Sequence, residues 1–598
     1  MHYGEWVRQL LIISVAVVGI VGSSAFAANV HVSPKGDDVN PGTRQEPLRT
    51  LSRAAEMLKP GDVCIIAGGV YRETVTPAAS GDRGDSIIFR AAAGQKVVIS
   101  GIEPLDGWEK KGEVFEAKSA GRFDQLFVDG EMMTLARFPN RGKDRFKPEK
   151  LEVTVDGKTA EIEKRQGSQT DWTGATLWAM GGRGWVAGTA EVAGSDNGRL
   201  TLKSKIPFFS KGTGTGYLEG HPAALDAPGE WVHTDRTVRL IPPKGVDPRK
   251  VQVQTTRRRW GFDLSGRKHI RIEGIRFFAT SVNTDKADGC VIDRCRFEWP
   301  SWRRDIRGGF NRDKGISIES GGLGVVLGGE KNVLSSSILS RGVGDGVSVY
   351  GRNNRVENCI IHDFNTSASD CAPVDLTGEG HTVTKCTIYN AGRSGVLHRK
   401  LKKGTITYNH IYNIGLMTND LGGTYCFTTD GAGTEIAYNR IHDVHCKTGV
   451  GIYIDNFSKN FLIHHNVIYD TKDSGIRLNT PANSLTVAFN TLARTGNAMN
   501  YWGDKGNKDM AGVVVVNNIL PGMVRLGDGV KKHHNYTDDS PGFADADEND
   551  FTLEKGSPCI DAGVKIDGVR ARVVGDAPDI GCYEKGVEPW EAGSSLKR

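Results

Sequence analysis

The 598-residue chain reads as an all-β protein: a parallel β-helix with an N-terminal capping helix and an inserted β-rich subdomain. Three observations carry this. Gly accounts for 76 residues and Pro for only 22, which calls for many turns and close backbone approaches in an ordered chain. Beyond residue 265, short Val/Ile/Thr/Tyr-rich runs alternate with Gly, Asn and Asp. These runs repeat. Anchored on Cys295, Ser337, Cys359, Cys386, Asn409, Asn439, Asn466, Asn490 and Asn518, the steps from Cys359 are 27, 23, 30, 27, 24 and 28 residues, the spacing of β-helix rungs. Leucine-rich repeats share the period, but their L-x-x-L-x-L-x-x-N spacing is absent and nothing in these repeats looks helical.

Each segment follows from its residues. Arg8, the apolar run Leu10 to Gly22 and Ala25-Phe26-Ala27 form a signal-peptide pattern over 1–27, so the mature chain is expected to start near Ala28, secreted or periplasmic, with no membrane association after cleavage. Residues 28–105 supply the N-terminal cap and first rungs. Thr50 to Leu58 is expected to be a short helix covering the open end of the coil. Residues 106–250 break the period with alternating runs such as Arg199-Leu200-Thr201-Leu202, which predicts a sandwich or barrel. The main coil follows over 251–540, interrupted from Trp299 to Gly322, and 541–598 form a C-terminal cap or tail.

Stacking places equivalent positions ~4.8 Å apart. The Asn residues of the anchor column then form an inward amide ladder, and Cys295, Cys359 and Cys386 serve there as small buried hydrophobes rather than disulfide partners. No C-x-x-C pair occurs, so no metal site is expected. The net charge of +5 is too small to argue for nucleic acid but tolerates an anionic substrate; a monomer is expected. In the second strand of each rung, alternation turns Val347/Val349, Ile452/Ile454 and Ile476/Leu478 inward, with His398 and Cys426. One outward column is then Ser348, Asp375, Leu397, Tyr425, Tyr453, Arg477 and Asn500. The next is Tyr350, Thr377, Arg399, Phe427, Asp455, Asn479 and Trp502.

Ser33-Pro34-Lys35-Gly36, Phe127-Val128-Asp129-Gly130-Glu131, Ala136-Arg137-Phe138-Pro139-Asn140, Pro228-Gly229-Glu230-Trp231, Asn419-Asp420-Leu421-Gly422-Gly423, Gly451-Ile452-Tyr453-Ile454-Asp455 and Gly556-Ser557-Pro558-Cys559 are the motifs of a resemblance. The chain resembles the secreted right-handed β-helix glycosidases, most of all glycoside hydrolase family 141 (xylanase and α-L-fucosidase activities), with the family 120 β-xylosidases next. The resemblance spans nearly the whole mature chain. It implies a glycosidase that cleaves a plant or algal polysaccharide or oligosaccharide with two carboxylates and no cofactor. Carried onto this sequence, the motif positions imply Asp420 and Asp455 as the catalytic pair, with Asp430 the rival for one place. Asn456 departs from the pattern, since related enzymes often carry a second acid there.

Glycoside hydrolysis needs one carboxyl to protonate the leaving oxygen and a second to attack or to activate water. Around the pair, Tyr425, Tyr453, Phe427 and Trp502 offer faces for sugar rings, while Asp375, Arg399, Asn479, Arg477 and His445 offer polar contacts. Two other readings stay open. One is a polysaccharide lyase with a Lys or Arg base (Arg399, Arg477, Lys402 or Lys403) and Ca²⁺ held by Asp residues against a uronate. The other is a noncatalytic carbohydrate-binding β-helix protein.

Overall fold

The computed structural model describes residues 27–164, 167, 169–302 and 322–597. The signal-peptide segment and most of the Trp299–Gly322 insertion, including Arg303 and Arg304, lie outside them. No helix among the described residues is long and apolar enough to cross a membrane.

The repeat is a coil of parallel strands. One sheet of fourteen strands runs from Asn29–Val32 at one end to Lys531–His533 at the other; a nineteen-stranded sheet makes the other two faces. Along one column the register is kept through six rungs: Val333, Arg355, Thr382, Thr405, Glu435 and Leu462 pair in succession. Alternation fixes it, because a slip by one would turn every inward side chain to the outside. Ile361, Ile388, Ile411, Ile441, Ile468 and Leu492 form one fully buried column inside the coil. Each is worth roughly 1.5–3 kcal/mol of burial. Helix α1 (Leu51–Met57) closes the N-terminal end; the Thr50 side chain caps it by accepting from the Arg53 N–H, and Leu51, Ala54 and Ala55 face the core.

The Asn ladder is present and longer than expected. Asn409, Asn439, Asn466, Asn490 and Asn518 each donate from Nδ2 to the Oδ1 of the next, the last of them to Asn535, at 2.9–3.0 Å. It satisfies a corner where Tyr408, Tyr438, His465 and Phe489 adopt left-handed φ of 51–57°. All ten cysteines are free and buried, and burial pushes the Cys295 thiol up to about 12. Gly395, Gly423, Gly451 and Gly475 stack in a column, the last three inside strands. A Cβ on Gly451 would lie 2.5 Å from the Gly475 carbonyl oxygen and collide with Ile468 Cγ2. These glycines permit a close approach of two walls, with no need of unusual φ. Gly451→Ala is therefore expected to destabilise the coil by about 1–3 kcal/mol, read from the urea midpoint.

The insertion contains a closed six-stranded antiparallel barrel. Its order is Lys211–Glu219, Leu151–Asp156, Thr159–Ile162, Arg199–Leu202, Ala187–Asp196 and Thr176–Gly181, which pairs back onto Lys211–Glu219. Closure leaves no open edge among these six strands. Leu151, Val153, Leu177, Leu200 and Leu218 fill it.

The C-terminal segment does more than cap. It runs back along the outside of the coil: the Gly581 N–H donates to Asn517 O, Cys582 N–H to Thr491 Oγ1, Gly593 N–H to Tyr408 O, and Ser594 N–H to Thr387 Oγ1. Ser594 Oγ ends the run on Asn358 O at 3.1 Å.

Candidate active site

Four strands carry the site: β1 (Val396–Leu397), β2 (Leu421–Cys426), β3 (Gly449–Ile454) and β4 (Val467–Leu478). Their register lines up Leu397, Tyr425, Tyr453 and Arg477 on the outer face, in the column that alternation predicts. The column faces off the coil but is not exposed: Ser348, Asp375, Leu397, Tyr425 and Tyr453 are buried. The reason is the loop around 366–372, which folds over it. Ala372 packs with Leu397, Tyr425, Val450 and Tyr453, and Asp370 binds Arg399.

The two carboxylates lie at opposite ends of this outer face. Asp420 enters β2 with a left-handed φ of 57°, held by its N–H to Thr448 Oγ1 (2.7 Å) and by its carbonyl, which accepts from Arg393 Nη1 (2.8 Å). Asp455 follows β3. Its Oδ1 accepts from the Asn456 N–H and from Asn479 Nδ2, both at 2.8 Å, and its Oδ2 accepts from the Tyr425 hydroxyl at 2.9 Å. A chain of hydrogen bonds joins the two acids. Tyr453 donates to Asp420 Oδ1 at 3.0 Å, Asn479 Nδ2 donates to the Tyr453 oxygen at 2.8 Å, and the same amide reaches Asp455. The Trp502 N–H donates to Asn479 Oδ1 and so fixes which way this amide points.

The environments of the two acids differ. Burial first, and then the charge of Asp455, push the Asp420 carboxyl above its ordinary value, against the opposing effects of Arg393, the Tyr453 hydrogen bond and Arg477. Every bond of Asp455 is one in which it accepts. Burial and the neighbouring carboxylates raise both tyrosines well above their usual range, so they act as donors. One consequence is measurable. In Asp455→Asn the second cause of the Asp420 shift is gone, so the Asp420 carboxyl is expected to titrate at lower pH than in wild type. Carboxyl-carbon NMR across the acid range reads it, and an unmoved titration shows that the two acids do not interact.

The other predicted residues divide. Arg399 belongs to the site. Burial pulls its guanidinium down, but Asp370 and Asp375 outweigh this and leave it above its ordinary value. Arg477 pairs with Asp473 at 2.5 Å and lies 5.6 Å from the Tyr453 ring centroid. Phe427 and Trp502 are exposed and stand at the Asp455 end. Two residues are not brought to the pair. Asp430 sits on the fourteen-stranded sheet, where its carboxylate binds Asn460 and Lys459. His445 is exposed and bonds Asn413 Oδ1 at 2.7 Å, in a row of side chains on a neighbouring face. Of the basic residues a lyase would use, Lys403 pairs with Glu379 at the surface, and Lys402 is exposed beside it.

Sequence reasoning missed Asp370, Arg393, Asp473 and Thr448. Arg393, Asp370 and Thr448 lie in turns, where alternation says nothing about direction. Arg393, with a nearly buried side chain, binds Asp370, Asn419 O, Asp420 O and Trp185 O, the last from the insertion.

A family model described as "Right handed beta helix region" matches residues 369–520, and one described as "Protein of unknown function (DUF1565)" matches 34–77. Two curated proteins are similar over short stretches. "Uncharacterized protein YwoF" of Bacillus subtilis (strain 168) is 43% identical over 72 residues, 12% of this chain and 15% of that protein. "Pectate lyase PEL9" of Emericella nidulans is 32% identical over 92 residues, 15% of this chain and 22% of that protein. The chain thus matches under a quarter of the length of either relative. A solved structure titled "Glycoside hydrolase" superposes with a TM-score of 0.61 at 16% identity, covering 80% of this chain and 96% of that one. What the chain shares with that structure and with the β-helix family model is the fold, a right-handed parallel β-helix.

Proposed function

We propose that the protein is an exported, monomeric glycoside hydrolase acting on a plant or algal glycan, with Asp420 as general acid and Asp455 as base or nucleophile. The observation that carries this is the bridged pair Asp420–Tyr453–Asn479–Asp455, in which one carboxyl is raised and the other only accepts. A buried carboxyl that keeps its proton to higher pH suits the acid, and a carboxyl that only accepts hydrogen bonds suits the base or nucleophile. The step balances without a cofactor. The Asp420 proton passes to the glycosidic oxygen as the bond from the anomeric carbon to it breaks. Asp455 either forms a bond to that carbon, which water later cleaves, or takes a proton from the attacking water. The motif resemblance to families 141 and 120 supports the reading, as does the fold shared with the solved glycoside hydrolase.

The short similarity to a pectate lyase favours the second reading, a lyase on the same coil. Against it stands the state of Arg399. A base must give up its proton, and Asp370 holds Arg399 charged. One experiment separates the readings: neutral, uronate-rich and sulfated glycans are digested while reducing ends and ultraviolet absorbance are followed together. New reducing ends without absorbance support the hydrolase. An unsaturated, absorbing product lost with chelator overturns it. Binding without cleavage across the panel supports a noncatalytic protein. The anomer released first reports the separation of the two carboxyls: retention corresponds to ~5–5.5 Å and inversion to ~6.5–9.5 Å.

A further inference from the structure

The hairpin between barrel strands Thr176–Gly181 and Ala187–Asp196 leaves the barrel and docks on the coil beside Asp420. The Asn419 N–H donates to Gly184 O at 2.6 Å, the Ala187 N–H to Ala368 O at 2.9 Å, and Trp178 Nε1 to Ser367 O at 2.9 Å. Gly184 has φ +69°, in the left-handed region that favours glycine, and a Cβ there would lie 2.7 Å from Asn419 Nδ2 and push that amide aside. Arg393 ties the two parts together. Its Nη1 donates to Trp185 O at 3.3 Å and to Asp420 O at 2.8 Å. The backbone of Trp185 is therefore one guanidinium away from the backbone of the acid.

Two tryptophans on this hairpin have opposite fates. Trp178 is 2% exposed and stacks on Tyr217 at 4.7 Å, where it anchors the hairpin. Trp185 is 44% exposed although its backbone is fixed, and the Arg183 guanidinium lies 4.8 Å from its ring. An exposed indole on a tethered backbone, beside a guanidinium, offers an apolar face for the C–H side of a sugar ring and a donor for its hydroxyls or carboxylate.

We infer that the inserted barrel supplies a sugar-binding subsite to the coil, with Trp185 as the stacking platform and Arg183 as the polar contact, on the leaving-group side of the scissile bond. The side follows from position. Asp420, which protonates the leaving oxygen, enters β2 next to this hairpin, whereas Asp455 and the exposed Phe427 and Trp502 lie at the opposite end of the strands. The inference rests on the roles of Asp420 and Asp455 given above.

The test compares two substrates in Trp185→Ala and Trp185→Phe: the panel oligosaccharide cleaved fastest, and the glycosyl fluoride of its glycone sugar, whose one-atom leaving group leaves the leaving side empty. For Trp185→Ala, kcat/KM on the oligosaccharide is expected to fall about tenfold, with a much smaller change on the glycosyl fluoride and Phe restoring most of the loss. Equal rates on the oligosaccharide, or equal losses on both substrates, overturn the subsite. Calorimetric titration of an uncleavable, sulfur-linked analogue of the same oligosaccharide into wild type and Trp185→Ala reads the subsite apart from turnover. If Asp420→Asn and Asp455→Asn keep full activity, the catalytic roles fail while this titration still decides whether Trp185 binds sugar. Identical affinities in it overturn the subsite.

Discussion

Asp420→Asn is expected to lower kcat on a natural glycan by roughly 10²–10⁴-fold, the range lost with a general acid, while leaving the fold intact. An Asn side chain keeps the shape of the acid and can still accept from Tyr453, but it carries no proton to give. The loss should depend on the leaving group. A 4-nitrophenolate leaves without protonation, so a 4-nitrophenyl glycoside should retain much of its rate in Asp420→Asn. Asp455→Asn should be at least as damaging and indifferent to the leaving group, because the missing group is the one that attacks or activates water. Asp455→Asn also places an amide where three donors converge, a cost of about 1–3 kcal/mol that thermal unfolding would read separately. If both variants turn over the two substrates like wild type, the assignment of roles is wrong.

The second large effect concerns a residue that does no chemistry. Arg393→Ala is expected to cost about 3–5 kcal/mol of stability, the price of breaking a buried ion pair from one side. Its side chain is only 4% exposed, and it serves Asp370, three backbone carbonyls and the Tyr425 ring, whose centroid lies 5.2 Å from the guanidinium. Arg393→Lys should recover little, because a lysine ammonium is a point donor and cannot reproduce the planar fork that meets several acceptors at once. Equilibrium unfolding in urea measures both variants. A loss below about 1 kcal/mol would show that the coil and the insertion do not depend on this link.

The coil was legible because its information is periodic. Alternation in seven short runs fixed the register of Ser348, Asp375, Leu397, Tyr425, Tyr453, Arg477 and Asn500, and the structure pairs these residues in that order. The same rule could not tell that the column would be covered. Cover comes from the turn around Asp370, on which the hairpin of the insertion docks through Ala368, and neither obeys the repeat. Asp430 shows the opposite failure. It lies three residues after Phe427, close in sequence to the site, but the corner between those positions carries it onto the other sheet. The contacts that bind Arg393 to the insertion span more than 200 positions, a separation at which no local pattern speaks.

The returning C-terminal segment has a mechanical meaning. A solenoid in which each rung touches only its neighbours behaves as a one-dimensional chain of coupled units, free to fray from an end. Here the stretch from Gly581 to Ser594 runs in the reverse direction and fastens the rung of Asn517, by way of Thr491, Tyr408 and Thr387, to that of Asn358. Force or heat applied at the C-terminal end cannot peel rungs one at a time without first stripping this brace. The rungs that carry Asp420 and Asp455 lie within the braced interval, and their spacing, on which proton transfer depends, is thereby kept from breathing independently of the rest.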